Sequence, residues 1–386
     1  MDSKMKKTLP YIRSLIFIVG LIVIIGVCDY CFAKTGYIHY ILQHVNEDDE
    51  NYDTIVLGAS HARSAIDPAK IDSQADTVTL SMAIPGETLK DSYYVLEESC
   101  KNNDVKRVIF DVDYQYWFGP QEEGYFAETF IYNQFSWLSL TKWDYFIHNS
   151  EYMDIRSAFT KRYVYCDPTD FSAVKNNIIQ KNSEDYKNAN IYSLDVKDAK
   201  GPYKGQGFFY RDNIEGGPLG EGYVQTWEGR QFTKMQSYPV AYFKKIKEYC
   251  DKNGIELICV TSPITPSSVK RLGLDVVNEK FEKFFGELGV TYYNFNKARM
   301  DVLPREDNDY ADKEGHMEGH LAEEYSQVLG EVIDKHIDGT LNMKDYFYDS
   351  FEELFKTTYY YSPMKSSSRS SGLKNFRDYP LLLHMV

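Results

Sequence analysis

The pattern of apolar and polar positions changes period several times along the chain. Leu15 to Val27 (LIFIVGLIVIIGV) carries no charge. With Tyr11, Ile12 and the flank Cys28 to Ala33, it reaches about 20 residues, the length that crosses a bilayer as a helix. Residues 34–51 read as a helical stalk whose acidic end, Glu47-Asp48-Asp49-Glu50, is a solvated linker. Short apolar runs and helical patterns then alternate. Asp53 to Leu57 (DTIVL), Thr77 to Met82 (TVTLSM) and Val105 to Val112 (VKRVIFDV) predict strands, and Thr88 to Asn102 predicts a helix between the last two. The alternation returns late in the chain. Val240 to Asn253 reads as a helix stopped by Gly254, Ile255 to Thr261 (IELICVT) as a buried strand, and Val277 to Leu288 as a helix stopped by Gly289. Val290 to Phe295 (VTYYNF) predicts a further strand and Met317 to His336 the last clear helix. The whole predicts an α/β fold, a doubly wound, mostly parallel sheet of about five strands with right-handed crossovers. Residues 114–239 do not alternate. They are aromatic at first (Trp117, Trp137, Trp143) and glycine-rich later (Gly216, Gly217, Gly220, Gly222). This stretch predicts a helical and loop-rich insertion over the sheet's C-terminal edge, where ligands bind in open α/β sheets. Residues 341–386 form a C-terminal extension, Ser-rich and partly disordered from about Lys365.

The charges around the first apolar run set the expected compartment. Lys4, Lys6 and Lys7 precede it, which makes residues 1–10 a cytoplasmic basic N-terminus and 11–33 a transmembrane anchor. Everything after about residue 34 is then extracytoplasmic, on a single-pass cell-membrane protein. A cleaved signal peptide shares the charged and apolar regions, but Cys31-Phe32-Ala33 departs from the small-x-small cleavage pattern and Asp29 is unusual there. The net charge of −14 leaves no basic surface to neutralise phosphates and argues against nucleic acid as a partner. Tyrosine is abundant, at 33 residues, and its amphipathic ring suits a carbohydrate surface as well as an ordinary core. Cys28 and Cys31 form C-x-x-C without a βαβ context, and no cysteine spacing calls for a metal or cofactor.

Gly58-Ala59-Ser60 follows DTIVL directly. A serine on the turn from a strand into a helix presents its hydroxyl at the sheet's C-terminal edge, although serine in such a turn is more often a helix N-cap. A serine nucleophile needs a base, and an imidazole oriented by a carboxylate is the usual one. Tyr310-Ala311-Asp312-Lys313-Glu314-Gly315-His316 supplies both on one segment before the last helix. The candidates are therefore Ser60 as nucleophile, His316 as base and Asp312 as orienter, with Glu314 the alternative carboxylate and His320 the competing base. His61 is a candidate pocket-lining or substrate-binding group. Arg63 is a candidate for holding an anionic substrate group, with a surface ion pair as its other reading.

These blocks resemble the SGNH (GDSL-like) hydrolase superfamily. The likeness is to the outward-facing branch related to the teichoic-acid D-alanine transfer protein and alginate O-acetylation proteins. Gly58-Ala59-Ser60-His61 looks like the first block and Ser81 to Gly86 like the second. His316-Met317-Glu318, followed by Ala322, Tyr325 and Ser326, keeps the spacing of the last block. The resemblance spans residues 50–335 and implies an SGNH/flavodoxin-like domain over 52–340. It also implies an oxyanion hole from the Ser60 and Gly86 backbone N–H groups. The chain departs from the pattern in three places: Asp312 lies four residues before His316 with Lys313 in the usual Asp position, Glu318 and Leu321 replace Asn and Gly, and the third-block Asn is missing. The function implied is an O-acyltransferase or esterase on acyl groups of a cell-envelope glycopolymer, working with a multipass membrane O-acyltransferase. The departures leave a non-catalytic accessory protein that binds an envelope glycan or such a complex as the alternative.

Overall fold

The computed structural model describes residues 3–34, 36–47, 51–118, 131–149, 155–189, 191–192, 197–198, 201–211, 234–312 and 315–357. Its contacts divide the chain into two compact units, one of residues 1–39 with 123–189 and one of residues 40–122 with 190–385.

The larger unit contains a five-stranded sheet. Its strands are β1 (Thr54–Leu57), β2 (Thr79–Ser81), β3 (Arg107–Asp111), β7 (Glu256–Thr261) and β8 (Thr291–Asn294). Three short strands, β4 (Lys197–Asp198), β5 (Gly201–Gly205) and β6 (Phe208–Phe209), form an antiparallel sheet of their own. The main sheet runs β2-β1-β3-β7-β8 and every pair is parallel, with Val56 opposite Ile109 and Ile109 opposite Ile258. Strands buried on both faces read as unbroken apolar runs, which is why TIVL and LICV stood out without alternation. On one face, Val56, Ile109, Ile258 and Val260 pack with Leu321, Tyr325 and Leu329 of the Gly319–Ile337 helix. On the other, Phe110 meets Phe243 of the Ser237–Asn253 helix at 5.8 Å, and Trp117, Phe281 and Phe285 close around Phe243. The fold is thus an α/β sheet wound on both faces. The strand order reverses between β1 and β3, and a crevice opens beyond the carboxyl ends of strands at such a switch point.

The Tyr37–Glu47 helix buries Tyr37, Ile41, Leu42 and Val45, and the Val45 carbonyl accepts from Asn103 Nδ2. The insertion over 114–239 is not one body. Residues 123–189 belong to the smaller unit, whereas β5 and β6 lie against the edge strand of the large sheet, with Ser81 N donating to Gln206 O at 2.9 Å. The acidic run Asp48 to Glu50, the glycines between 212 and 233, Glu314 and the tail from residue 358 lie outside the described residues.

In the smaller unit the Ser3–Phe32 helix ends in a built socket. Ala33 bridges Tyr165, Lys34 N donates to Val164 O, and Cys166 N donates to Phe32 O. The apolar span Thr8–Phe32 is exposed over most of its length, and Cys28, Asp29, Cys31 and Phe32 in its last turns are half-buried. All six cysteines are unpaired.

Candidate active site

The turn after β1 depends on one glycine. Gly58 has φ +149, and a Cβ there would lie 2.7 Å from Ala62 Cβ and 3.2 Å from Asp111 Cβ. Only a residue without a side chain lets the first helix turn approach the end of β3 this closely. Ala59 takes the N-cap position and its side chain caps nothing, so Ser60 is the first residue of the short Ser60–Ala65 helix. Its hydroxyl is therefore not used as a cap. Ser60 Oγ instead lies 2.8 Å from His316 Nε2.

The opposite ring nitrogen, His316 Nδ1, is 2.8 and 2.9 Å from the two Asp312 carboxylate oxygens. A carboxylate only accepts, so Nδ1 carries the proton, and Nε2 is left to accept from the Ser60 hydroxyl. The extra residue between Asp312 and His316 is absorbed by a tight turn. Gly315 N donates to Asp312 O at 3.0 Å, Gly315 takes φ +81, and Tyr310 bridges Met317 across the base of the loop. A carboxylate four residues upstream thus reaches the ring that a spacing of three would reach without a bulge.

Arg211 stands behind this pair. Its Nη1 lies 3.4 Å from Asp312 Oδ2, the side chain is 1% exposed, and its carbonyl accepts from Gly319 N. The chain arrives there directly from β6, so the small sheet delivers a cation to the back of Asp312. No motif in the sequence marks Arg211. A lone arginine at the end of a Phe-Phe-Tyr run carries no spacing signal.

A second imidazole–carboxylate pair lies alongside. The His61 ring stacks on the His316 ring with centroids 4.4 Å apart and an interplanar angle of 18°. His61 Nδ1 is 2.8 Å from Asp113 Oδ2, and Asp113 also accepts from Gln115 N and Nε2. Asp113 is thereby the carboxylate two residues past β3, at the other side of the switch point. His61, Asp111, Asp113, Thr261, Ser262, Gly315 and Met317 are among the residues lining a cavity of about 20 Å³, room for roughly one water-sized group.

Burial dominates the titration of the site. Desolvation, the neighbouring His61 and the Arg211 guanidinium push His316 down to about 3, against the pull of Asp312. His316 is therefore neutral at neutral pH and able to take a proton. Burial also pushes Asp111 up to about 7, opposed by the Ser262 backbone N–H and reinforced by the nearby Asp113 charge. Asp113 is buried too, yet its His61 and Gln115 partners hold it below the usual carboxylate range. Two carboxylates at the end of one strand are thus driven apart in protonation by their partners.

The other candidates fall elsewhere. Arg63 was expected at the surface and is buried instead: it is 1% exposed, with its guanidinium carbon 4.6 Å from the Phe209 ring centroid. The cause is the Phe208–Phe209 strand, which covers the helix face that the sequence left open. His320 pairs with Asp309 and Glu318 on the solvent side, and its hydrogen bonds lead away from Ser60. Gly86 lies exposed on the turn after β2 with φ +77. That turn is held by Ile84 N, which donates to Gly58 O and to Glu87 Oε2.

No family model and no curated protein matches the sequence. Among solved structures the chain is similar to a proposed acylhydrolase of Bacteroides fragilis NCTC 9343, at 8% identity and TM-score 0.35, over 79% of this chain and 96% of that one. It is also similar to a GDSL-like lipase of Bacteroides thetaiotaomicron VPI-5482, at 9% identity and TM-score 0.32, over 75% and 88%. Likeness at this level assigns no family, and the functional case stands on the side chains.

Proposed function

We propose that the chain is a membrane-anchored, extracytoplasmic serine O-acyltransferase or esterase of SGNH type, acting on acyl groups of a cell-envelope glycopolymer. The observation that carries the reading is the continuous Ser60–His316–Asp312 relay at the switch point of a parallel sheet. In the proposed reaction, Ser60 Oγ attacks the acyl carbonyl as His316 Nε2 takes its proton. The imidazolium, steadied by Asp312, then protonates the leaving oxygen, and an ester remains on Ser60. A second hydroxyl, of water or of a glycan, gives its proton to His316 and takes the acyl group, and the imidazolium returns that proton to the departing Ser60 Oγ. Asp312 fixes the tautomer, and Arg211 fixes Asp312. The Ser60 and Gly86 backbone N–H groups are proposed to receive the oxyanion. His61, held by Asp113 beside the reacting pair, is proposed as a substrate-contacting side chain.

The apolar Thr8–Phe32 helix supports anchoring, and the lysines before it support an outward-facing domain. A multipass membrane O-acyltransferase is the proposed source of acyl groups.

The test is turnover of a chromogenic acetyl ester by the full-length chain in detergent, beside Ser60→Ala and with a hydroxylated oligosaccharide as acceptor. Loss of turnover by about 10⁴-fold or more in Ser60→Ala supports the relay. Turnover that is independent of Ser60 contradicts it.

A further inference from the structure

The smaller unit carries exposed apolar side chains on segments that are hydrogen-bonded to the end of the Thr8–Phe32 helix. Trp137, Trp143 and Phe159 form a trio with ring centroids 5.7–6.0 Å apart. Leu138 and Leu140 beside it are 90% and 81% exposed, and Ile147 and Phe171 are similarly bare. This is not the usual surface of a water-facing unit, where large apolar side chains are scattered singly.

The backbone fixes the depth of this face relative to the helix. Lys161 N donates to Asp29 Oδ1 at 3.0 Å, one turn before the helix ends, and Phe159 lies two residues before Lys161. Lys161 Nζ also donates to Gln134 Oε1 at 3.2 Å, three residues before Trp137. The helix end is further clamped by Asn177 Nδ2 on Cys31 O and by Lys181 Nζ on Tyr30 O. The aromatic trio is thus tied to the last turn of the span rather than carried on a free tether. A span of 25 residues is about 37 Å long, against about 30 Å of hydrocarbon, so its last turn lies in the interfacial layer. Tryptophan prefers that layer, because its ring is apolar and its N–H is polar.

We infer that the 123–189 unit rests on the outer face of the bilayer, with Trp137, Trp143, Phe159, Leu138 and Leu140 set among the lipid headgroups and upper acyl chains. The occupant of the apolar face is lipid, because the segments that carry it are hydrogen-bonded through Lys161 to the last turn of a helix whose own solvent is lipid. The inference rests on the proposed anchoring by the Thr8–Phe32 helix. It makes that anchor a rigid mount and holds the unit at a fixed height.

The test uses the full-length chain reconstituted in phosphatidylcholine–phosphatidylglycerol vesicles, with the phosphatidylcholine either plain or brominated in the upper acyl chain. Bromine quenches only tryptophans that lie close to it. The result expected is quenching in brominated vesicles that falls by at least half in Trp137→Phe/Trp143→Phe. Leu138→Glu/Leu140→Glu, which alters two exposed positions and no buried contact, is expected to lower the quenching of the native tryptophans as well. Co-flotation with vesicles combined with equal quenching in wild type and both variants overturns the inference while leaving the anchor intact. Failure of the full-length chain to float with vesicles overturns the anchor, and the inference with it.

Discussion

At the scale of single residues, burial decides what His316 is able to do. Its value of about 3 lies below the ordinary 6.5, because desolvation, His61 and Arg211 outweigh the Asp312 carboxylate. Only the neutral ring accepts a proton from Ser60, so the acid limb of kcat/KM is expected well below pH 6, measured with an ester whose own hydrolysis is slow. An acid limb centred near 6.5 contradicts this. The same shift has a stability consequence of defined sign. The unfolded chain takes up the proton first, so the contribution of His316 is full above pH 6.5 and is lost as pH falls from 6.5 toward 3. His61 offers a second residue-scale prediction. Stacked on His316 and held by Asp113, it is expected to affect substrate more than the nucleophile. His61→Ala is expected to lower kcat/KM about 10-fold, near 1.4 kcal/mol, while serine-directed labelling persists. Loss of labelling in that variant would instead make His61 part of the relay. Ser60, His316 and Asp312 were legible in the sequence because strand, turn and loop each left a local signature. Arg211 was not, since its partner lies 101 residues away and its neighbours carry no pattern. The burial of Arg63 was not legible, because Phe209, which packs on it, comes from a strand of two residues.

At the scale of elements, one close approach sets the geometry. Gly58 allows the helix that starts at Ser60 to lie against the end of β3, where Asp111 and Asp113 stand. Gly58→Ala combines a positive φ with a contact of 2.7 Å and is expected to cost about 1–3 kcal/mol in urea denaturation. Its labelling rate should fall further than stability alone explains, because the displaced backbone carries Ser60. Unchanged stability and labelling would show that the turn tolerates a side chain. The strands of the main sheet were readable as short apolar runs, and their order follows from alternation with helices of short connection. The two-residue strands were unreadable, because pairing with Ser81 through Gln206 depends on long-range contact rather than on local pattern.

At the scale of the whole molecule, the sequence suggested a tether, a stalk and a domain with one insertion. The contacts give two units, and the N-terminal helix belongs to the smaller one together with residues 123–189. That division was hidden because it is made by main-chain bridges such as Lys34 to Val164 and Phe32 to Cys166, which leave no periodicity in either segment. The apolar helix itself was plain from composition. The central claim joins the anchor to the relay: an outward-facing serine nucleophile on a membrane-held chain. It is tested most directly by adding a membrane-impermeant biotinylated fluorophosphonate to intact cells expressing the full-length chain, with peptide mapping of the adduct. The prediction is a single adduct on Ser60, lost in Ser60→Ala and strongly slowed in His316→Ala. A Ser60 adduct that forms only after detergent lysis would contradict the outward facing, and its absence both in intact cells and after lysis, with the chain present and folded, would contradict the nucleophile.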